Sequence, residues 1–256
     1  MKRSSTIFSF VSGKGGVGKS VLAVNLAETL SARGHRVALI DADFGQGACA
    51  VLLNETPQAS VLSALRGKAR LLDTLHETRA GITLVQAVAE TAVLADSEPA
   101  LFDRLDALLA DLRRTHDYIL IDAPAGVTGP VRWALDRADL GLLVLVGEPT
   151  AVADAYRLVK FIWEHAPDYP LGAVVNFAED AEDAEDVARR FGKITTHFTG
   201  QETMYLGWVP FSAALRQSVR TQCPVVRKKS PLSEAFDTLA EMLVQGHYGV
   251  PTGPPT

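Results

Sequence analysis

The chain has 256 residues, 47% of them hydrophobic and 21% charged, which suits one large α/β domain. Its net charge is −5 and its pI near 5.7, which excludes a global basic field drawing it to nucleic acid. Two cysteines, Cys49 and Cys223, and six scattered histidines offer no disulfide framework and no metal-ligand spacing, so a reducing, cytoplasmic compartment is expected.

The first apolar run, residues 7–11, predicts a buried strand. It is too short for a secretory signal, despite Lys2 and Arg3 before it. Gly13-Lys14-Gly15-Gly16-Val17-Gly18-Lys19-Ser20 follows and reads G-x-x-x-x-G-K-S, the phosphate-binding loop pattern. Residues 21–31 carry apolar side chains at helical spacing without proline or glycine, so the loop lies between a strand and a helix. Gly15, Gly16 and Gly18 permit positive φ and a close ligand approach, and their N–H groups can form an anion nest at a helix N-terminus. Lys19 is placed for the β- and γ-phosphates and Ser20 for Mg²⁺, with Val17 and Val21 completing the loop's nucleotide contacts. Lys14 is a second lysine beside triphosphate charge.

Residues 36–40 predict a second strand, ending in Asp41-Ala42-Asp43. Alternating residues of an extended segment share a side, so both carboxylates can face the phosphates. Further strands are expected over residues 82–88, 118–121, 140–146, 171–175 and 205–209. Helices are expected over residues 99–114, 130–137, 150–164, 184–191 and 233–244. The alternation implies a doubly wound, mostly parallel sheet of about 7–8 strands with helices on both faces. In such sheets ligands bind beyond the C-terminal strand ends, where Asp41, Asp43, Asp122 and Asn176 all fall. Asp122, after an apolar strand, is placed to hold Mg²⁺ through water. The acidic stretch 179–186 reads as a solvated loop and helix start. Arg216, Arg220 and Arg227-Lys228-Lys229 read as solvated surface, with a nucleic-acid patch as the alternative. Leu140 to Val146 is too short to span a bilayer, and residues 246–256 read as a flexible Gly/Pro-rich tail to a domain covering residues 1–245.

Lys14-Gly15-Gly16-Val17-Gly18-Lys19-Ser20 resembles the deviant phosphate loop of the MinD/ParA ATPases. Asp122-Ala123-Pro124-Ala125-Gly126 resembles their D-x-P-A-G switch, and Ala173-Val174-Val175-Asn176 their V-V-N segment. Glu148-Pro149-Thr150 is similar to their E-P-T helix start. The resemblance implies that Lys14 crosses a dimer interface to the partner's nucleotide and that Asp43 orients the attacking water. It implies that Asp41 supports the Mg²⁺ shell, that Asn176 and Pro210 meet the adenine, and that Glu148 meets the partner's ribose.

Within that family the chain resembles the flagellar-placement branch, called FlhG, FleN or YlxH. The similarity lies in Asp43-Phe44-Gly45, in Asp154-Ala155-Tyr156, and in Tyr205-Leu206-Gly207-Trp208-Val209-Pro210 followed by Gln222-Cys223-Pro224. Residues 1–6 lack the basic, glutamine-containing activator motif frequent in that branch. Gly47-Ala48 stands where the family often has asparagine, and residues 232–244 carry acids where a membrane-targeting helix would be basic. The expectation is an ATP- and Mg²⁺-dependent, dimerising ATPase, slow without a protein activator, that controls flagellar number or placement. ADP is the product, and a partner rather than a membrane helix is the expected recruiter to pole or membrane. The alternatives are a ParA-like cargo-positioning ATPase on nucleoid DNA, and a nucleotide-gated scaffold with negligible turnover.

Overall fold

The computed structural model describes residues 5–44, 47–88 and 98–246. Gly45, the N-terminal residues 1–4 and the tail from residue 247 onward lie outside the described residues.

The strands are β1 (Thr6–Ser12), β2 (Val37–Asp41), β3 (His76–Glu77), β4 (Ile82–Gln86), β5 (Tyr118–Ala125), β6 (Leu140–Leu145), β7 (Leu171–Ala178) and β8 (Met204–Pro210). They form one sheet in the order β3-β4-β2-β5-β1-β6-β7-β8. Every neighbouring pair is parallel except β3 with β4. The helices are α1 (Lys19–Ala32), α2 (Cys49–Leu53), α3 (Val61–Leu65), α4 (Glu98–Thr115), α5 (Gly129–Arg137), α6 (Pro149–His165), α7 (Ala181–Thr199), α8 (Ala213–Thr221) and α9 (Pro231–Gln245).

The two-residue period of the strands divides the core in two. Ile7 and Val11 of β1, Ala38 and Ile40 of β2, and Ile119 and Ile121 of β5 pack with α4, α5, α6 and α7. Phe8 and Phe10, Val37 and Leu39, and Leu120 point the other way, into a core closed by α1 and α9. α1 is buried on most of its surface because the sheet, α2 and α9 all pack against it. α9 spends its apolar side, Leu232, Phe236, Leu239 and Leu243, on that core. No described helix is long and apolar enough to cross a membrane. The chain winds one way from β1 to β2 and the other way from β6 to β8, so β1 is the switch point and its C-terminal end opens into the crevice.

Several boundaries differ from expectation for identifiable reasons. β5 runs through Asp122 to Ala125 because Ser12 of β1 still pairs with Ala125. β7 likewise passes Asn176 to reach Ala178. β4 stops at Gln86, where the partner strand ends at Asp41. α7 extends to Thr199 and begins where Asp180 accepts the Asp183 N–H, with Glu182 and Asp183 in its first turn. β3, α2 and α3 are too short to show a period, and α8 was not anticipated.

Arg227 is not the free cation expected of a solvated patch. Its Nε donates to both Glu28 oxygens, at 2.9 and 3.1 Å, and Glu28 lies on α1 with 5% exposure. Arg227→Ala strands that carboxylate and is expected to lower the unfolding free energy by about 2–3 kcal/mol. Urea denaturation should show an earlier midpoint at unchanged slope, with Lys228→Ala as the near-silent surface control.

Candidate functional site

β1 ends at Ser12, whose hydroxyl donates to the Lys14 carbonyl at 3.0 Å. The loop then turns through Gly16 (φ 81°) and Gly18 (φ 87°) into α1. Both glycines carry the positive φ that the pattern implied, whereas Gly15 does not and is open around its Cα. Gly13 has a different reason to be glycine. A Cβ there would sit 2.1 Å from the Asp154 carbonyl carbon, so α6 packs directly on the loop's backbone. A Cβ on Gly18 would meet the Asn176 amide nitrogen at 2.3 Å. The loop is thus gripped by α6 on one side and β7 on the other.

Asn176 is buried, and its Nδ2 donates to the Val17 carbonyl at 2.7 Å. That bond fixes the amide orientation and leaves Oδ1 buried without a partner. Phe177 follows with φ 62°, a costly conformation for an aromatic residue. Its ring lies edge-on to Phe211, centroids 6.3 Å apart, and the Arg216 guanidinium caps Phe211 at 5.0 Å. Pro210, the last residue of β8, leads into Phe211, whose N–H donates to Ala178. Both rings are partly exposed. Asn176 and Pro210 were singled out in the sequence; Phe177 and Phe211 were not, because isolated aromatics carry no spacing signal, and Arg216 reads there as solvated surface and not as a partner of an aromatic ring.

On the other side of the loop, Asp41 and Asp122 stand level on neighbouring strands, paired in register. Lys19 Nζ donates to Asp122 Oδ1 at 2.6 Å, with both side chains buried. Ser20, on the first turn of α1, is half-buried beside Lys19 in sequence, and Val21 is equally half-buried. Asp41 accepts the Cys49 N–H at 2.9 Å and the Asp43 N–H at 3.3 Å. The two aspartates therefore differ: Asp41 is sealed in the interior and braces the loop after β2, while Asp43 is only half-buried. Burial, reinforced by the charge of Asp122, pushes Asp41 up to about 7. Cys49 lies beside these carboxylates, a proximity that sequence spacing did not indicate. Its Sγ lies 3.6 Å from Asp122 Oδ2, and burial pushes the thiol well above its ordinary range.

Towards the surface, Lys14 Nζ pairs with Glu148 at 3.0 Å, and both side chains are substantially exposed. The Gly126 N–H donates to the Ser12 carbonyl at 2.8 Å, which ties the end of β5 to the start of the loop. Gly126 itself has φ 78°.

The ParA family pattern, described as NUBPL iron-transfer P-loop NTPase, matches residues 3–244. The chain belongs to the ParA family of P-loop ATPases. Among its relatives, the antiactivator FleN of Pseudomonas aeruginosa is 30% identical over 237 residues, covering 92% of this chain and 85% of FleN. The flagellum site-determining protein YlxH of Helicobacter pylori is 28% identical over 249 residues, covering 95% of this chain and 83% of YlxH. The crystal structure of the cell division ATPase MinD of Pyrococcus furiosus superposes with a TM-score of 0.76 at 27% identity, covering 94% of this chain and 99% of MinD. As a ParA-family member the chain carries the same mostly parallel eight-stranded sheet, with the loop at its switch point.

The Asp41 carboxyl makes a signed pH prediction. It keeps its proton to about pH 7 when folded but ionises near the ordinary aspartate value of 3.8 when unfolded. The folded chain then binds more protons in that window, so this stabilising contribution is full below it and lost as pH rises through about 7. In Mg²⁺- and nucleotide-free buffer, Asp41→Asn should gain stability relative to wild type across the window and then level off. A difference that is flat with pH, by thermal or urea unfolding, would count against the raised Asp41.

Proposed function

We propose that this ParA-family ATPase is an ATP-switched homodimer that governs flagellar number or placement. The observation that carries the reading is the convergence at one loop of Lys19, Ser20, Asp41 and Asp122, with the second lysine, Lys14, on the exposed side. The flagellar assignment is supported by FleN and YlxH, relatives that the chain matches along most of its length.

Phosphates fit the cradle: Gly16 and Gly18 turn the backbone with positive φ, and nothing stands where a Cβ of Gly16 would be. Ser20, Asp41 and Asp122 are the residues that would hold Mg²⁺, the first through its hydroxyl and the others through their carboxylates. Mg²⁺ bound there supplies charge neutralisation across the β- and γ-oxygens. Lys19 exchanges its bond to Asp122 for phosphate oxygens. Asp43 orients the attacking water, and its half-buried position suits a group that meets solvent. Lys14 leaves Glu148 to reach the partner's phosphates, which frees Glu148 for the partner's ribose. A contact made to the γ-phosphate lasts only while that group is present, so hydrolysis reverses the pairing.

The buried Oδ1 of Asn176 accepts the adenine amino group; guanine would present an acceptor there instead, which selects against it. Phe177 and Phe211 pack on the base, with Pro210 at its edge. The nucleoid-DNA alternative draws less support, since Arg227 is committed to Glu28 and Arg216 to Phe211. Turnover stays slow until a protein partner completes the site, and that partner supplies any recruitment to pole or membrane.

Sedimentation with ATP tests the switch. Wild type should pair with ATP and separate with ADP; Lys14→Ala should stay monomeric, and Asp43→Ala should remain paired for hours. An ATP-dependent dimer that survives Lys14→Ala would refute the crossing lysine.

The base subsite is tested by comparing ATP with tripolyphosphate. Phe211→Ala should weaken ATP about tenfold, the value of one stacked ring, and leave tripolyphosphate unchanged. Equal losses for both ligands would place Phe211 outside the base subsite.

A further inference from the structure

The register that sets Asp41 level with Asp122 has a second consequence at the start of α2. The Cys49 N–H reaches Asp41 and the Cys49 thiol reaches Asp122. One ligand atom from each of Asp41, Cys49 and Asp122 lies within 4.8 Å of the other two. All three residues are 0–1% exposed. Three atoms so spaced share a point no more than about 2.8 Å from each, against zinc–oxygen and zinc–sulfur bonds of about 2.0–2.3 Å. Small side-chain rotations close that gap.

The donor set is also the wrong one for a hard cation alone. Mg²⁺ takes oxygen ligands and keeps its waters, whereas a thiol is a ligand for softer ions. We propose that Asp41, Cys49 and Asp122 form a site for a thiophilic divalent cation of the zinc, cobalt and cadmium class, occupied without nucleotide.

Charge supports the assignment. Two carboxylates and a thiolate carry three negative charges, which Lys19 and one divalent cation offset completely. Without the cation, Lys19 offsets Asp122 and Asp41 keeps its proton to about pH 7. Each carboxylate also retains acceptor capacity: Asp122 Oδ1 takes Lys19 while Oδ2 faces the thiol, and Asp41 Oδ2 has a second lone pair beyond its bond to Cys49. The thiol proton and the proton held by the Asp41 carboxyl both leave to solvent as the cation enters. The site uses the carboxylates assigned above to the Mg²⁺ shell, so, resting on that assignment, a thiophilic ion opposes Mg²⁺–ATP. Its binding to the nucleotide-free chain stands independently of that reading.

Cobalt is the probe, because a thiolate ligand gives it an intense near-ultraviolet charge-transfer band. The untagged full chain is titrated with Co²⁺ in the absence of nucleotide. Wild type should show the band, saturating at one equivalent. Cys223→Ser should retain it, and since the chain has only two cysteines, a retained band belongs to Cys49. Cys49→Ala should lose the band, and Asp41→Asn should weaken Co²⁺ by at least about tenfold, with circular dichroism confirming that both are folded. The proposal is overturned if wild type gives no band, if the band vanishes in Cys223→Ser, or if it persists in folded Cys49→Ala. ATPase activity is not needed for any of these readings, so a chain that failed to hydrolyse ATP would leave this test intact.

Discussion

One ammonium, Lys19 Nζ, pairs with Asp122, while Asp41, buried beside it in register, holds its proton to about pH 7. Buried charges of one sign are tolerated only when something nearby compensates them. Much of the surrounding structure serves that arrangement. The all-parallel centre of the sheet sets the strand ends level, α1 delivers Lys19 from the neighbouring strand, and the turn into α2 adds an N–H bond to Asp41. Release of the Asp41 proton exposes a negative charge for a cation to meet, and the chemistry proposed here draws on it.

The loop that carries Lys19 is held mainly by contact. Gly13 lies against the backbone of α6 and Gly18 against the amide of Asn176, with no room for a side chain at either. Such close approach couples the loop to two elements at once. α6 begins beside Glu148, the exposed partner of Lys14, and β7 carries Asn176 and Phe177 to the other side of the loop. The groups proposed to meet phosphate, base and partner are thereby referred to one turn. The positive φ of Phe177 fits this picture, because it turns the ring toward Gly18 and Phe211 at a backbone cost borne by the pinned strand.

The layout of the fold was largely legible in advance. Continuous apolar runs mark strands buried on both faces, and the helix period between them marks crossovers, so a parallel sheet follows. The phosphate loop was legible because a short pattern encodes its backbone conformation. Asp122 and Asn176 lie towards the C-terminal ends of their strands, although the strands run past them, since pairing with a neighbour and not local composition decides where a ladder stops. Short elements such as α2, α3 and β3 escaped because fewer than two turns or a two-residue pair leave no measurable period.

By itself the sequence determined the loop, the order of strands and helices along the chain, and the carboxylates available to the crevice. These are local properties, written in spacing and residue type. Only the tertiary structure decided that Glu28 would capture Arg227, that Gly13 must be small for the sake of α6, and that Cys49 would come to rest beside Asp122. Those outcomes depend on distances between segments far apart in the chain, where strand register and helix packing, and not any nearby residue, choose the neighbour.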